Sequence, residues 1–307
     1  MRIGVDLGGS KIEVAVLADN GDFYYRHRLP TPQGNYRETL ATVVTLIALA
    51  RKEIATCLDQ NAAASTIPVG IGLPGAISHR TGRVKNANST CLIGEDLQGD
   101  LQALLGHSIQ LANDADCFTL SEAVDGAGRG CHVVMGVILG TGVGGGIAVG
   151  GQLLQGPNRI TGEWGHNGLP RMQLGEHPGP PCYCGRNGCI ETFLSGPGLA
   201  LDHGTNSNQR LDAREIVKRA TEGDSEAMAT MERYEERLAR SLAEVINILD
   251  PDVIVLGGGL SNVDRLYANV PKLLRQHVFT DHVETPLVKA RFGDSSGVRG
   301  AAWLGRK

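Results

Sequence analysis

Residues 135–149 read MGVILGTGVGGGIAV, and residues 3–17 read IGVDLGGSKIEVAVL. Each is an apolar run of strand length, then a glycine-rich turn, then a second β-rich run, the pattern of a β-hairpin. One such unit at the start of each half of the chain indicates a duplicated architecture. The copies differ at one place. Aligned on Gly4 and Gly136, the first strand carries Asp6 where the second carries Ile138. A carboxylate in an apolar strand is costly to bury without a partner. A magnesium ion or its water shell is the partner this reading assigns to Asp6.

Outward from the two repeats, strands and helices alternate, which indicates an α/β protein. Strands are expected at 23–29, 69–73, 109–112, 253–259 and 287–290, and residues 78–88 read as a loop. Apolar spacing near 3.6 residues predicts helices over 36–58, 97–105, 213–222, 225–249 and 266–278, the last continuing from a start at Ser261-Asn262, with a terminal helix at 295–307. A chain of 307 residues is long for a single core, so two lobes are expected. The division read from the sequence is a small N-terminal lobe of residues 1–115 plus the C-terminal helix. Residues 116–294 then form a large lobe.

Composition narrows the function classes. A net charge of −4 with no basic block argues against a nucleic-acid partner. The longest apolar runs, such as 133–139, fall far short of the roughly 20 residues that cross a bilayer, so no membrane partner is expected. The N-terminus breaks into glycine and charge at once, unlike a signal peptide. Seven cysteines, an odd number with one cluster, do not form a disulfide framework. The expected location is a reducing cytoplasm.

Three glycine turns follow apolar strands: Gly8-Gly9-Ser10-Lys11, Gly140-Thr141-Gly142 and Gly257-Gly258-Gly259. Glycine lets backbone N–H groups come close to phosphate. None of the three is a Walker P-loop or a dinucleotide fingerprint. Asn113-Asp114-Ala115-Asp116 lies where a strand passes into a helix. Phosphoryl transfer to an alcohol needs a carboxylate to accept the hydroxyl proton, and Asp114 is the candidate base. The bland alternative makes Asp114 a helix cap.

The stretch 161–192 holds Cys182-x-Cys184-x4-Cys189, with His166 sixteen residues before Cys182. Thiolates and imidazole suit a closed tetrahedral zinc site. Glu163 and Glu191 flank this set, so a metal there would also fix two acids. The remaining Cys57, Cys91, Cys117 and Cys131 read as small buried hydrophobes.

Together DLGGSK, LANDAD, LGTGVGGG, GEWGH with CxCGxxGCIE, and LGGG resemble the ROK family of sugar kinases and sugar-sensing repressors. VKNANST, GEWGHN and GDSSGVRGAAW are most similar to its bacterial fructokinase (mannofructokinase) members. The resemblance implies an actin-like ATPase (ribonuclease H-like) fold, two lobes with the active site in the cleft between them. It implies ATP, Mg²⁺ and structural Zn²⁺, and a homodimer is the family's habit. By the family pattern Asp114 is the general base, and Gly75, Asn88, Asn113, Glu163, His166 and Glu191 join it in binding the sugar. Asp6 is the magnesium-side acid. Gly8, Gly9, Ser10 and Lys11, with Gly140, Thr141 and Gly142, take the phosphates. Gly257, Gly258 and Gly259 lie against the adenosine. His166, Cys182, Cys184 and Cys189 match the zinc ligands.

The function expected from the sequence is therefore ATP-dependent phosphorylation of a hexose at its 6-hydroxyl, with fructose, and also mannose, as substrate. The alternatives are an N-acetylglucosamine or glucose kinase of the same family, and a ROK repressor without its DNA-binding domain. A first strand starting at Arg2 leaves no room for the helix-turn-helix such repressors carry. A further reading makes the cysteine loop a docking surface unrelated to catalysis.

Overall fold

β1 (Arg2–Leu7) and β2 (Lys11–Leu17) form an antiparallel hairpin in which Asp6 faces Glu13 and Leu7 faces Ile12. β3 (Phe23–Pro30) continues the antiparallel edge, and α1 (Tyr36–Leu58) covers the sheet. β4 (Val69–Leu73) returns parallel to β1. A short antiparallel pair follows, β5 (Ala76–Ile77) and β6 (Val84–Lys85), the second of them inside the segment 78–88 read from the sequence as loop. Two-residue ladders are too short for any periodicity to reveal. After α2 (Leu97–Leu105), β7 (Gln110–Asn113) adds to the sheet parallel to β4 and runs directly into α3 (Asp114–Val124). The sheet order is β3-β2-β1-β4-β7. The computed structural model describes residues 1–58, 67–87 and 89–305. The connection expected at 62–66, Asn88 and the last two residues of the expected terminal helix lie outside them.

The second copy starts with β8 (Val133–Leu139), β9 (Val143–Val149) and β10 (Gln152–Leu153). Helices α4 (Ile190–Leu194), α5 (Gly196–Ser207), α6 (Ala213–Thr221) and α7 (Ser225–Leu249) follow. β11 (Val253–Gly257), α8 (Asp264–Leu274) and β12 (Leu287–Lys289) complete it. The sheet order is β10-β9-β8-β11-β12, with β8, β11 and β12 parallel. Counted within each half, both sheets run third, second, first, fourth, fifth, so the duplication seen in the glycine hairpins extends to the whole topology. The helix expected to start at Ser261-Asn262 and run to 278 is α8 over Asp264–Leu274, shorter at both ends. Residues 259–262 form a separate 3₁₀ turn, because Gly258 has φ +80° and its carbonyl accepts the Ser261 hydroxyl at 2.7 Å.

The chain forms two compact units. One comprises Met1–Gly130, Gly146–Thr161 and Arg291–Lys307, and the other Cys131–Gly145 and Gly162–Ala290. In the first, Ile3, Val5, Val14 and Val16 from the sheet pack with Val43, Leu46 and Ile47 of α1. The last helix, α9 (Ser296–Trp303), lies on the other face. It reaches the strands only because Gly4 and Gly70 have no side chain. A Cβ at Gly4 would strike the backbone of Val298 and Ala302, and one at Gly70 the carbonyl of Ala301.

The second unit is centred on α7. Asp224 caps that helix by accepting the Ala227 N–H at 2.9 Å, and Met231, Tyr234, Leu238 and Leu242 enter the core. Arg237 and Arg240 are buried on the same helix and pair with Glu176 and Asp202. Arg240 also donates to the carbonyls of Pro170 and Arg171. A removed partner would strand a buried charge, so these contacts tie the 170–176 segment firmly to α7.

Candidate active site

In the first unit, β7 ends on Asn113, and this residue caps α3. Its Oδ1 accepts the Ala115 N–H at 2.8 Å, and its Nδ2 donates to the Gly75 carbonyl at 2.9 Å. Gly75 has φ +104°, and a Cβ there would come within 2.7 Å of the Lys85 carbonyl, so only glycine fits the turn. With Asn113 as cap, Asp114 is the first residue of the helix proper. Its Oδ1 accepts the neighbouring Ala115 N–H at 2.9 Å, where the helix dipole favours negative charge. Asn88 falls outside the described residues, so nothing places it with this group.

Asp6 lies on β1 and is half-buried. Its pKa is raised to about 6, first by burial, then by the negative charges of Asp114 and Glu13. Glu13 is itself buried but compensated. Arg26 and Arg28 of β3 each donate to one of its oxygens at 2.7 Å. The structure therefore brings Asp6 and Asp114 into one electrostatic neighbourhood, where Lys11 and Arg28 supply opposing positive charge. Carboxylate oxygens are the ligands a divalent cation such as Mg²⁺ takes. At the end of β1, Gly9, Ser10 and Lys11 are exposed in the first glycine turn.

In the second unit, Trp164–His166 form a 3₁₀ turn that starts after Glu163. Trp164 anchors it, donating from Nε1 to the Gly144 carbonyl at 3.0 Å. The ligand atoms of His166, Cys182, Cys184 and Cys189 all lie within 4.8 Å of one another. Cys182 Sγ is 3.6 Å from His166 Nδ1, and Cys184 Sγ is 3.6 Å from Cys189 Sγ. Tetrahedral zinc, with Zn–S near 2.3 Å and Zn–N near 2.0 Å, spaces its ligands about 3.5–3.8 Å apart. The donor set and its spacing fit zinc. Arg186 hydrogen-bonds Cys184 and is the first cause of its pKa falling to about 6.

With Nδ1 turned to the thiols, His166 presents Nε2 on its other side, where the Tyr183 hydroxyl lies at 2.9 Å. Burial, then Glu191 and Glu163, push the Tyr183 pKa up to about 12. The phenol thus feels the charge of both acids, and its side-chain contact is with His166. Glu191 has a second contact. Its Oε2 accepts the Val143 N–H at 2.8 Å, and a Cβ at Gly142 would come within 2.6 Å of that oxygen. The turn of Gly140, Thr141 and Gly142 is therefore laid against Glu191. The third glycine run ends β11, where a Cβ at Gly258 would strike the Leu139 carbonyl while Gly259 faces open space.

Sequence reasoning missed two participants. Tyr183 was passed over as the spacer of the C-x-C pair, although a residue flanked by two ligands has little freedom to leave the site. The Glu13–Arg26–Arg28 group carried a signal in strand alternation, since Arg26 and Arg28 share a face of β3. Of the other cysteines, Cys117 is buried as expected, whereas Cys91 and Cys131 are half-buried. The Cys57 side chain is outside what is described.

The ROK family profile matches residues 2–307. The chain belongs to the ROK family. It is 42% identical over 308 residues to the N-acetyl-D-glucosamine kinase of Yersinia enterocolitica, with 99% of each protein covered. Among solved structures, the ROK hexokinase of Thermus thermophilus matches with TM-score 0.85 and 27% identity over 99% of this chain and 97% of that one. A ROK family glucokinase from Streptomyces griseus, solved with glucose and AMPPNP, matches with TM-score 0.76 and 25% identity over 99% of both. The actin-like ATPase fold expected from the motifs is the fold of this ROK chain.

The reading as a ROK sugar kinase stands. Fructose as its substrate does not, because curated relatives at 39 to 42% identity are N-acetyl-D-glucosamine kinases. The physical reason for the miss is that the motifs describe phosphate turns and metal ligands. One hexose is told from another by a few polar contacts to a single substituent, and motif spacing does not encode them.

Proposed function

We propose that this ROK protein transfers the γ-phosphoryl group of ATP to the 6-hydroxyl of N-acetyl-D-glucosamine. The observation that carries the substrate is the 42% identity, over 99% of both proteins, with a kinase named for that sugar. Asp114 is the general base. It accepts the hydroxyl proton as the sugar oxygen attacks phosphorus and ADP departs. Its position at the first turn of α3, with Asn113 tying that turn to Gly75, supports the role. Glu163, His166 and Glu191 bind sugar hydroxyls, which pair well with carboxylates and imidazole because they both donate and accept.

Asp6 is the residue that would hold Mg²⁺, directly or through water, and the ion would neutralise phosphate charge. The turns at residues 8–11 and 140–142 offer N–H groups to the phosphates, and Gly257–Gly259 lies against the adenosine. His166, Cys182, Cys184 and Cys189 would hold a structural zinc, which orients His166 and keeps Nε2, now against the Tyr183 hydroxyl, on the side away from the metal. The need for ATP supports a cytoplasmic location for the reaction.

The test is ADP release measured across N-acetylglucosamine, N-acetylmannosamine, glucose, mannose and fructose. N-acetylglucosamine is expected to have the highest kcat/KM, by about tenfold or more, since a site built to hydrogen-bond one substituent rejects analogues lacking it. A higher value for any other sugar overturns the assignment.

A further inference from the structure

The first glycine turn is gripped from one side by the segment that follows β3. The Thr31 hydroxyl donates to the Gly8 carbonyl at 2.7 Å, and the Gln33 side-chain amide donates to the Gly9 carbonyl at 2.6 Å. The Thr31 N–H donates to the Ser10 carbonyl at 3.1 Å. Three consecutive carbonyls of the turn are thus turned toward residues 31–33. In a trans peptide the C=O and the following N–H point in opposite directions. Holding the Gly8 and Gly9 carbonyls on the 31–33 side therefore directs the N–H groups of Gly9 and Ser10 away from it. Neither N–H has a protein acceptor among the described residues, and both residues are exposed.

The gripping segment is stiff for a reason written in its sequence. Thr31 stands between Pro30 and Pro32. Each proline fixes its own φ and confines the residue before it to extended backbone. Pro30 faces Lys11 across the β2–β3 ladder, so the grip starts from a strand already in register. A glycine-rich turn left alone would sample both orientations of its peptide planes. Half of those would aim a carbonyl oxygen at an incoming phosphate, where like charges repel.

We propose that Thr31 and Gln33 are positioning residues that set the polarity of this turn, so that its N–H groups rather than its carbonyls meet the nucleotide phosphates. The inference rests on the reading of residues 8–11 as a phosphate-binding turn. It needs no contact between Thr31 or Gln33 and the nucleotide.

The experiment measures dissociation constants of Mg-ATP and of adenosine, and KM for the sugar, in Thr31→Val, Gln33→Leu and the double variant. Adenosine lacks phosphates and reports the rest of the nucleotide site. Each single change is expected to weaken ATP by about fivefold to tenfold, the scale of one neutral hydrogen bond. Adenosine and sugar constants are expected to stay within about twofold, and Thr31→Ser, which keeps the hydroxyl, restores ATP binding. Unchanged ATP affinity, or equal weakening of ATP and adenosine, overturns the proposal. Should the double variant fail to fold, the single variants and Thr31→Ser decide alone. Wild-type protein that binds adenosine and ATP equally well would instead overturn the phosphate-turn reading beneath it.

Discussion

The two acid groups are held in place by opposite means. Asp6 and Asp114 stand on regular elements, one within β1 and the other at the first turn of α3. Parallel strands and a capped helix fix them, and the cost is burial of charge, visible in the raised pKa of Asp6. Glu163, ahead of a 3₁₀ turn, and Glu191, in the first turn of the five-residue α4, stand at the two ends of a loop with little regular structure. Short bridges such as Gly168 with Cys189 and Pro181 with Asn187, the Arg240 contacts and the cluster of His166, Cys182, Cys184 and Cys189 give it shape. A ladder can place a group without a cofactor, whereas a loop of glycines and prolines needs cross-links to do the same.

The comparison is tested most severely at Asp114. Asp114→Asn keeps the size of the side chain and its place on α3 but cannot accept the proton. The expected loss in kcat is about 10²- to 10⁴-fold, with KM for the sugar changed only a few-fold. A variant near wild-type rate would reduce Asp114 to part of the helix start and leave the first group without its base.

Next in size is removal of the metal from the second group. Zinc analysis is expected to find one ion per chain, and Cys184→Ser or chelation should release it. KM for the sugar should then rise about 10- to 100-fold, the scale of losses when a metal site's supporting shell is broken. Heat stability should fall with it. Asp114 and Asp6 belong to the ladder-built group, so residual turnover at saturating sugar should persist. Loss of zinc with sugar affinity intact would favour the view of the loop as a docking surface and dissolve the contrast.

The same contrast explains what could be read from the sequence. Elements with long apolar periodicity emerged with their ends correct: α1 over Tyr36–Leu58, α2 over Leu97–Leu105 and α7 over Ser225–Leu249. The hairpin repeat disclosed the doubled sheet because strand, glycine turn and strand form a local pattern. That His166, Cys182, Cys184 and Cys189 would gather in one place was legible from their chemistry and spacing. Tyr183 was not, because its role depends on where the folded loop sets its hydroxyl against His166. The choice of sugar was misread for a related reason. It depends on side-chain positions drawn from distant parts of the chain, and no local pattern records them.

The smallest expected effect concerns the cost of holding Asp6 inside the sheet. Its folded pKa of about 6 exceeds the reference 3.8, so the folded protein binds this proton more tightly than the unfolded chain does. The stability linked to that proton is fully present below about pH 4 and is lost as pH rises through about 6. A two-unit shift corresponds to about 3 kcal/mol as an upper bound. Asp6→Asn, which is neutral at every pH, is therefore expected to raise the thermal midpoint of the ligand-free protein at pH 7.5. That gain should shrink as pH is lowered from 6 toward 4. The variant should also need more Mg²⁺ for turnover, since the buried charge that costs stability is the one that would hold the ion. No gain at pH 7.5 would mean that Lys11 and Arg28 already balance the charge, and the ladder would then place its acid at no cost.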